Sequence, residues 1–223
     1  MSFEKSFLKK LGLTKPSVPT KKPVADPSNQ TAKLSPQEAD RLSRGKWFCK
    51  YAKEVEVFAK PVTRPELVLN SVAYTLYKEG LTVKGSMRLG TAHSILVILG
   101  DLRASRLDIG DAVLVVSGQL YIDESVAHFA NEGLLVAGGI EWNKATRKAP
   151  PDAIHCPLIF WDDRSNAKTL LVRDGKVIGR SKEEIARLLK QAFWETDMDE
   201  VILKPKAIKE ALAVGNPIFQ TPI

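Results

Sequence analysis

The stretch "ILVILGDLRASRLDIGDAVLVVSGQLYIDES", Ile95 to Ser125, writes apolar–Gly–polar–Leu, passes through a short polar run, and then writes it again. From Leu81 onward the hydrophobic pattern alternates rather than following a helical period, in "LTVKGSMRL", "ILVILGDLRA", "VLVVSGQLYI" and "LLVAGGIEW". Aligned on their glycines, Gly85, Gly100, Gly118 and Gly138 fall in one column. Val83, Ile98, Val116 and Val136 stand two places before it, and Met87, Leu102, Leu120 and Ile140 two places after. Leu81, Leu96, Leu114 and Leu134 stand four places before. Alternate residues of a strand share a face, so these columns predict one inward-facing stack. A single such unit cannot bury its apolar face, whereas a series of stacked units can. An antiparallel meander accounts for each glycine singly but not for the columns. The expected fold class is therefore mainly β with α caps: a short right-handed parallel β-solenoid flanked by N- and C-terminal helices.

Around this core the chain divides into four expected parts. Residues 1–34 read as a basic arm and linker, 35–80 as a helical N-terminal cap, 81–165 as the solenoid, and 166–223 as a hairpin and helical C-terminal cap. In the arm, Phe3, Phe7, Leu8 and Leu11 form one stripe of a short amphipathic helix, with Lys9 off the stripe and Lys10 at its edge. "TKPSVPTKKPVADPSNQTAK" is linker-like in composition. Ser35, Pro36 and Glu38 form a capping box with proline at the first helical position. "TRPE", with Leu67, Val68, Val72 and Leu76 behind it, predicts a second helix ending at Gly80, with a strand as the alternative. On the C-terminal side, Asp174-Gly175 signals a hairpin, Ser181 and Glu184 open another capping box, and "PKAIKEALAVG" ends a last helix at Gly215.

Charge locates the unusual part. The chain carries +7 overall, and up to Lys53 it has twelve basic residues against four acidic ones, so the remainder is close to neutral. A basic arm on a neutral body suits an anionic partner or membrane surface better than specific nucleic acid. Neither a secretory signal nor a membrane-spanning apolar run is expected, and two cysteines are too few for a disulfide framework, so a cytoplasmic location is anticipated.

Chemistry-bearing motifs are sparse. His93, His128 and His155 lack metal-ligand spacing, and neither a cofactor nor a metal site is expected. His155 beside Cys156 invites a thiol nucleophile, yet sequence adjacency does not bring the side chains together. Asp162 and Asp163 in "FWDDRSN" would point oppositely on an extended chain, which favours a solvated turn. Asp123 and Glu124 in "IDES" are read as leaving the strand. Trp142, Trp161 and Trp194 suit either a protein interface or a core plug at a solenoid end. The candidate partner-binding set is Phe3, Phe7, Leu8, Lys9, Lys10, Leu11, Trp161, Asp162, Asp163 and Arg164.

"VILGDLRASRLDIGD", "VVSGQLYIDES", "NEGLLVAGGIEW" and "IKEALAVGNPIF" together resemble a group of bacterial β-solenoid proteins related to the polymer-forming bactofilins. The resemblance covers roughly Leu81 to the C-terminus. It implies glycine-turned strands followed by a helical tail, and a non-enzymatic immunity protein that binds and neutralises a cognate toxin encoded nearby. The second implied role is a self-assembling scaffold with weak anionic-membrane contact through residues 2–13. The uneven coil lengths and the loop "ATRKAPPDA" depart from the regular bactofilin coil.

Overall fold

Short aliphatic strands separated by tight corners can satisfy their backbone groups only by pairing with the next copy of themselves, and this chain does so. A computed structural model describes residues 31–69, 71–90, 93–130, 133–142, 152–163, 168–198 and 200–220. The chain coils through about four turns of a parallel β-solenoid. One sheet is built from β2 (Val55–Phe58), β5 (Tyr74–Tyr77), β7 (Ile95–Ile98), β9 (Val113–Val116) and β11 (Leu134–Ala137), all parallel. The other holds β3 (Val62–Arg64) and β4 (Leu67–Leu69), both paired to β6 (Leu81–Leu89). It continues through β8 (Leu102–Ile109), β10 (Leu120–Ala130) and then β13 (Ile154–His155) and β14 (Leu158–Asp163).

The long strands bend in the middle. Ser105 of β8 stands alone opposite Lys84 and Gly85 on one side and Asp123 and Glu124 on the other. Two residues against one is a β-bulge, which kinks the strand and re-aims its second half. The Ser105 hydroxyl donates to the Lys84 carbonyl at 2.8 Å within that irregularity. Asp123 and Glu124 thus do not leave the strand but form its bulge. The second sheet is split into a first half (81–83, 102–104, 120–122) and a second half (86–89, 106–109, 125–128).

Interior columns follow from the register. Tyr77, Ile98, Val116 and Ala137 align, as do Leu81, Leu102, Leu120 and Ile154, and Met87, Leu107, Val126 and Ile159. All belong to one buried cluster. The expected columns hold for the two middle turns and fail at their ends. Gly118 donates its N–H to the Gly100 carbonyl at 3.2 Å, but the residue beneath Gly100 is Glu79, not Gly85. Gly85 lies in the bulge. Val136 pairs with Val115 and faces outward with Val97, leaving Ala137 to fill the interior. Val83 stands on the second sheet, Met87 pairs with Leu107 rather than Leu102, and Ile140 is 56% exposed. The slip arises because each turn has several corners. A second glycine corner, Gly90 under Gly110, lies outside the glycine column of the sequence.

Glycine is required at Gly118 by close approach: a Cβ there would meet the Gly100 carbonyl carbon at 2.9 Å and the Asp101 carboxylate. That carboxylate instead accepts the Gln119 N–H at 2.8 Å. Gly138 and Gly139, with φ of 57° and 75°, serve a different purpose. They make a two-residue hairpin of the kind that needs positive φ at both positions, turning β12 (Ile140–Trp142) back antiparallel onto β11.

The segment expected as a second helix is β3, β4 and β5. Pro65 restricts Arg64 to extended backbone, and Leu76 and Tyr77 find partners in Val97 and Ile98, so strand pairing overrides the helical start signal. The solenoid therefore begins near Val55, inside the expected cap. Its first turn is plugged from within. Arg64 lies 5.2 Å over the Phe58 ring, which stacks on Tyr77 at 4.7 Å. Burial pushes the pKa of the Tyr77 hydroxyl upward against the opposing pull of the Arg64 guanidinium.

Helices are few. α1 (Pro36–Ser43) starts in the expected capping box, the Ser35 hydroxyl accepting the Glu38 N–H at 3.3 Å and Glu38 accepting the Ser35 N–H at 3.1 Å. With the loop after it, α1 covers the outer face of the first sheet: Ala39 and Phe48 pack with Val57, Leu76 and Val97. Asp40 holds this loop in place, accepting the N–H groups of Trp47, Phe48 and Cys49 at 2.9, 2.8 and 3.1 Å. On the other side β15 (Lys168–Arg173) and β16 (Lys176–Gly179) form the expected Asp174-Gly175 hairpin, with β15 antiparallel to β14. Next along the chain come α2 (Lys182–Leu188), β17 (Trp194–Asp197), β18 (Glu200–Leu203) and α3 (Pro205–Ala213). Their apolar residues close over Ala127, Phe160 and Leu171, the outer face of the second half-sheet.

Two outcomes test this arrangement. Leu107→Ala, which hollows a fully buried column, is expected to cost about 2–5 kcal/mol in urea unfolding. Asp40→Ala strands three backbone donors and is expected to cost about 1–3 kcal/mol near neutral pH. Burial opposes ionisation of Asp40, but the Cys49 thiol and the three N–H groups outweigh it and lower its pKa. Its stabilisation is therefore present above the ordinary aspartate range, about 3.9, and is lost as pH falls through the lower folded value. The gap between wild type and Asp40→Ala should narrow correspondingly in acid unfolding curves.

Candidate protein-binding flank

Each turn presents three straight runs, one in the first sheet and two in the bent second sheet. Described apolar segments cover the outer face of the first sheet and the apolar end of the second half-sheet. No described segment packs over the outer face of the first half-sheet. Its outward column is Thr63, Thr82, Arg103, Tyr121 and His155, in register on β3, β6, β8, β10 and β13.

Three of these side chains form a ladder. The Arg103 guanidinium lies 5.2 Å from the centre of the Tyr121 ring. Tyr121 stacks on the His155 imidazole at 4.8 Å, with 13° between planes. That separation matches the spacing of paired strands, so the rings stack because the rungs do. A hydrogen bond of 2.8 Å between His155 Nε2 and Gln119 Oε1 fixes the far end. Gln119 in turn is held by Asp101 through its backbone N–H. Cation–π and ring–ring contacts of this kind contribute about 0.5–1.5 kcal/mol each. Their larger effect is to hold three planar side chains in one conformation before any partner arrives. Two shallow depressions, about 490 and 310 Å³, flank the ladder, and Arg103 and Tyr121 line both.

The sequence-derived candidates lie elsewhere. Phe3, Phe7, Leu8, Lys9, Lys10, Leu11 and Arg164 fall outside the described residues. Trp161 is 4% exposed and packs in the interior, so of its two expected roles it takes the plug. Asp162 and Asp163 continue β14, pairing with Thr169 and Lys168, so the strand runs through positions expected to turn. His155 and Cys156 are engaged with different partners, the imidazole with Tyr121 and Gln119. The Cys156 thiol donates to the Leu158 carbonyl at 3.1 Å, and burial pushes its pKa up to about 12. Exposed Cys49 is also raised, first by its hydrogen bond to Asp40. Among the described residues, no three His, Cys, Asp or Glu side chains converge as metal ligands.

Arg103 and Tyr121 were legible in principle. They directly follow Leu102 and Leu120, whose alignment the repeat reveals. His155 was not, since an unlike loop separates it from the repeat.

No family model, curated protein or solved structure matches the chain. No helix among the described residues is long and apolar enough to cross a membrane.

Both thiols should resist alkylation. At pH 8 a thiol of pKa about 12 is ionised to roughly one part in ten thousand. Iodoacetamide labelling of the native chain, read by mass spectrometry, is expected to modify Cys49 slowly and Cys156 only after denaturation.

Proposed function

We propose that the chain is a non-enzymatic protein-binding module whose partner docks on the Arg103–Tyr121–His155 flank. The observation that carries this reading is the preordered ladder, over which no described segment packs, on a coil whose first sheet is covered. Tyr and Arg are the residue types that dominate binding energy at protein interfaces. A rigid flank also loses little conformational freedom when a partner binds. In its specific form, the module is a cytoplasmic immunity protein that neutralises a toxin from an adjacent gene, as the bactofilin-like repeat suggests. The basic arm accelerates encounter with an acidic partner surface. The coil is right-handed in this reading, the sense favoured where twisted strands are joined by crossovers.

The alternative is a bactofilin-like scaffold that stacks coil on coil and touches anionic membrane through the arm. Against stacking stand β12 and β15, which pair antiparallel to β11 and β14 at the last turn.

Co-expression with the adjacent gene's product is the test. A stable complex is expected, weakened at least tenfold by Tyr121→Ala or Arg103→Ala in titration calorimetry. Failure to co-purify, with no protection of cells from the neighbour, overturns the immunity reading. Filaments in sedimentation would instead support the scaffold.

A further inference from the structure

A second concavity lies where the C-terminal unit overhangs the coil, and it shares no residue with the ladder. The outward column of the second half-sheet reads Arg88, Asp108, Ala127, Phe160 and Leu171. The C-terminal unit covers its apolar end and stops near Ala127. Beyond that point α3 forms a wall over open sheet, enclosing a groove of about 480 Å³, within the range of small-ligand sites.

The lining has three kinds of group. Ala127, Leu212 and Val214 supply an apolar surface, with Val214 66% exposed. Lys209 reaches from α3 to Asp108 at 2.7 Å, leaving the other carboxylate oxygen, Oδ1, buried with no hydrogen-bond partner. Arg88 and Lys206 are exposed and carry no ion pair with a described residue, whereas Arg106 is engaged with Glu124 at 2.7 Å. Glu210 is the opposing acid at the rim.

We propose that this groove binds a short acidic peptide segment. One extended chain meets both demands: a carboxylate for Arg88 and Lys206, and an apolar side chain against Ala127, Leu212 and Val214. The site is independent of the ladder reading and stands or falls separately.

The test is selection of a phage-displayed library of random nine-residue peptides on the full chain, followed by fluorescence anisotropy of the enriched sequences. Enriched peptides are expected to carry Asp or Glu beside an apolar residue and to bind more weakly as salt rises. Val214→Trp fills the groove from an exposed position. That variant, and separately the surface pair Arg88→Glu with Lys206→Glu, should each weaken binding at least tenfold while circular dichroism stays unchanged. Tyr121→Ala should leave it unaltered. No enrichment overturns the proposal, as does enrichment without an acidic residue or binding indifferent to Val214→Trp. Peptides lost on Tyr121→Ala alone would place the site on the ladder instead.

Discussion

Everything in this chain depends on parallel backbone pairing between successive turns of the coil. Once Ile98 sits on Val116 and Leu102 on Leu120, every inward and outward position is assigned, because the side-chain period of a strand is two. A slip of one residue exchanges core for surface. The register is therefore guarded where the chain turns. At Gly100 and Gly118 the backbones approach so closely that a Cβ would collide. The Asp101 carboxylate uses the vacant space to reach the next turn's Gln119 N–H. A missing side chain and a borrowed hydrogen bond lock the same corner.

A stack of this kind has a problem at its ends, where unpaired strand edges invite another chain. The molecule answers it with reversals of direction rather than with helices laid over the ends. Gly138-Gly139 folds β12 back, β15 runs antiparallel to β14, and β1 (Thr31–Leu34) runs antiparallel to β2. Antiparallel strands break the repeat that a further parallel coil would need to continue. The helices are left free to cover flanks, where Phe48 and Phe160 show how completely they bury apolar side chains.

The sequence disclosed the principle of the fold more readily than its boundaries. The aligned aliphatics around Gly100 and Gly118 are adjacent in space because those turns differ by one constant offset, eighteen residues. Outside them the offset changes with bulges and hairpins, and a glycine column cannot report which corner a given glycine occupies. Gly85 thus reads as a corner but sits in a bulge, and Val136 reads as interior where Ala137 fills the space. Local signals with a short-range mechanism fared better: the Ser35–Glu38 box and the Asp174-Gly175 turn form as read. "TRPE" failed because its cap and proline are compatible with a helix but do not outweigh pairing of Leu76 with Val57 and Val97. The ladder lay half hidden. Residues eighteen apart become neighbours only after the register is known, and His155 arrives from beyond a loop that resembles nothing else in the chain.

The bulge opposite Ser105 ties the two surfaces together. Arg103 and Arg106 are three residues apart on one strand, which in a flat sheet would leave them facing opposite sides. The bend at Ser105 instead sends both outward, onto different flanks: Arg103 to the ladder with Tyr121, Arg106 to the groove with Glu124. The neighbouring strands make the same bend with one extra residue each, Gly85 in β6 and Asp123 or Glu124 in β10. Their insertions stay in step because β8, paired between them, imposes one corner on both. A single irregularity repeated through three turns thus separates two chemically different surfaces on one continuous sheet, and neither could exist if the strands ran straight.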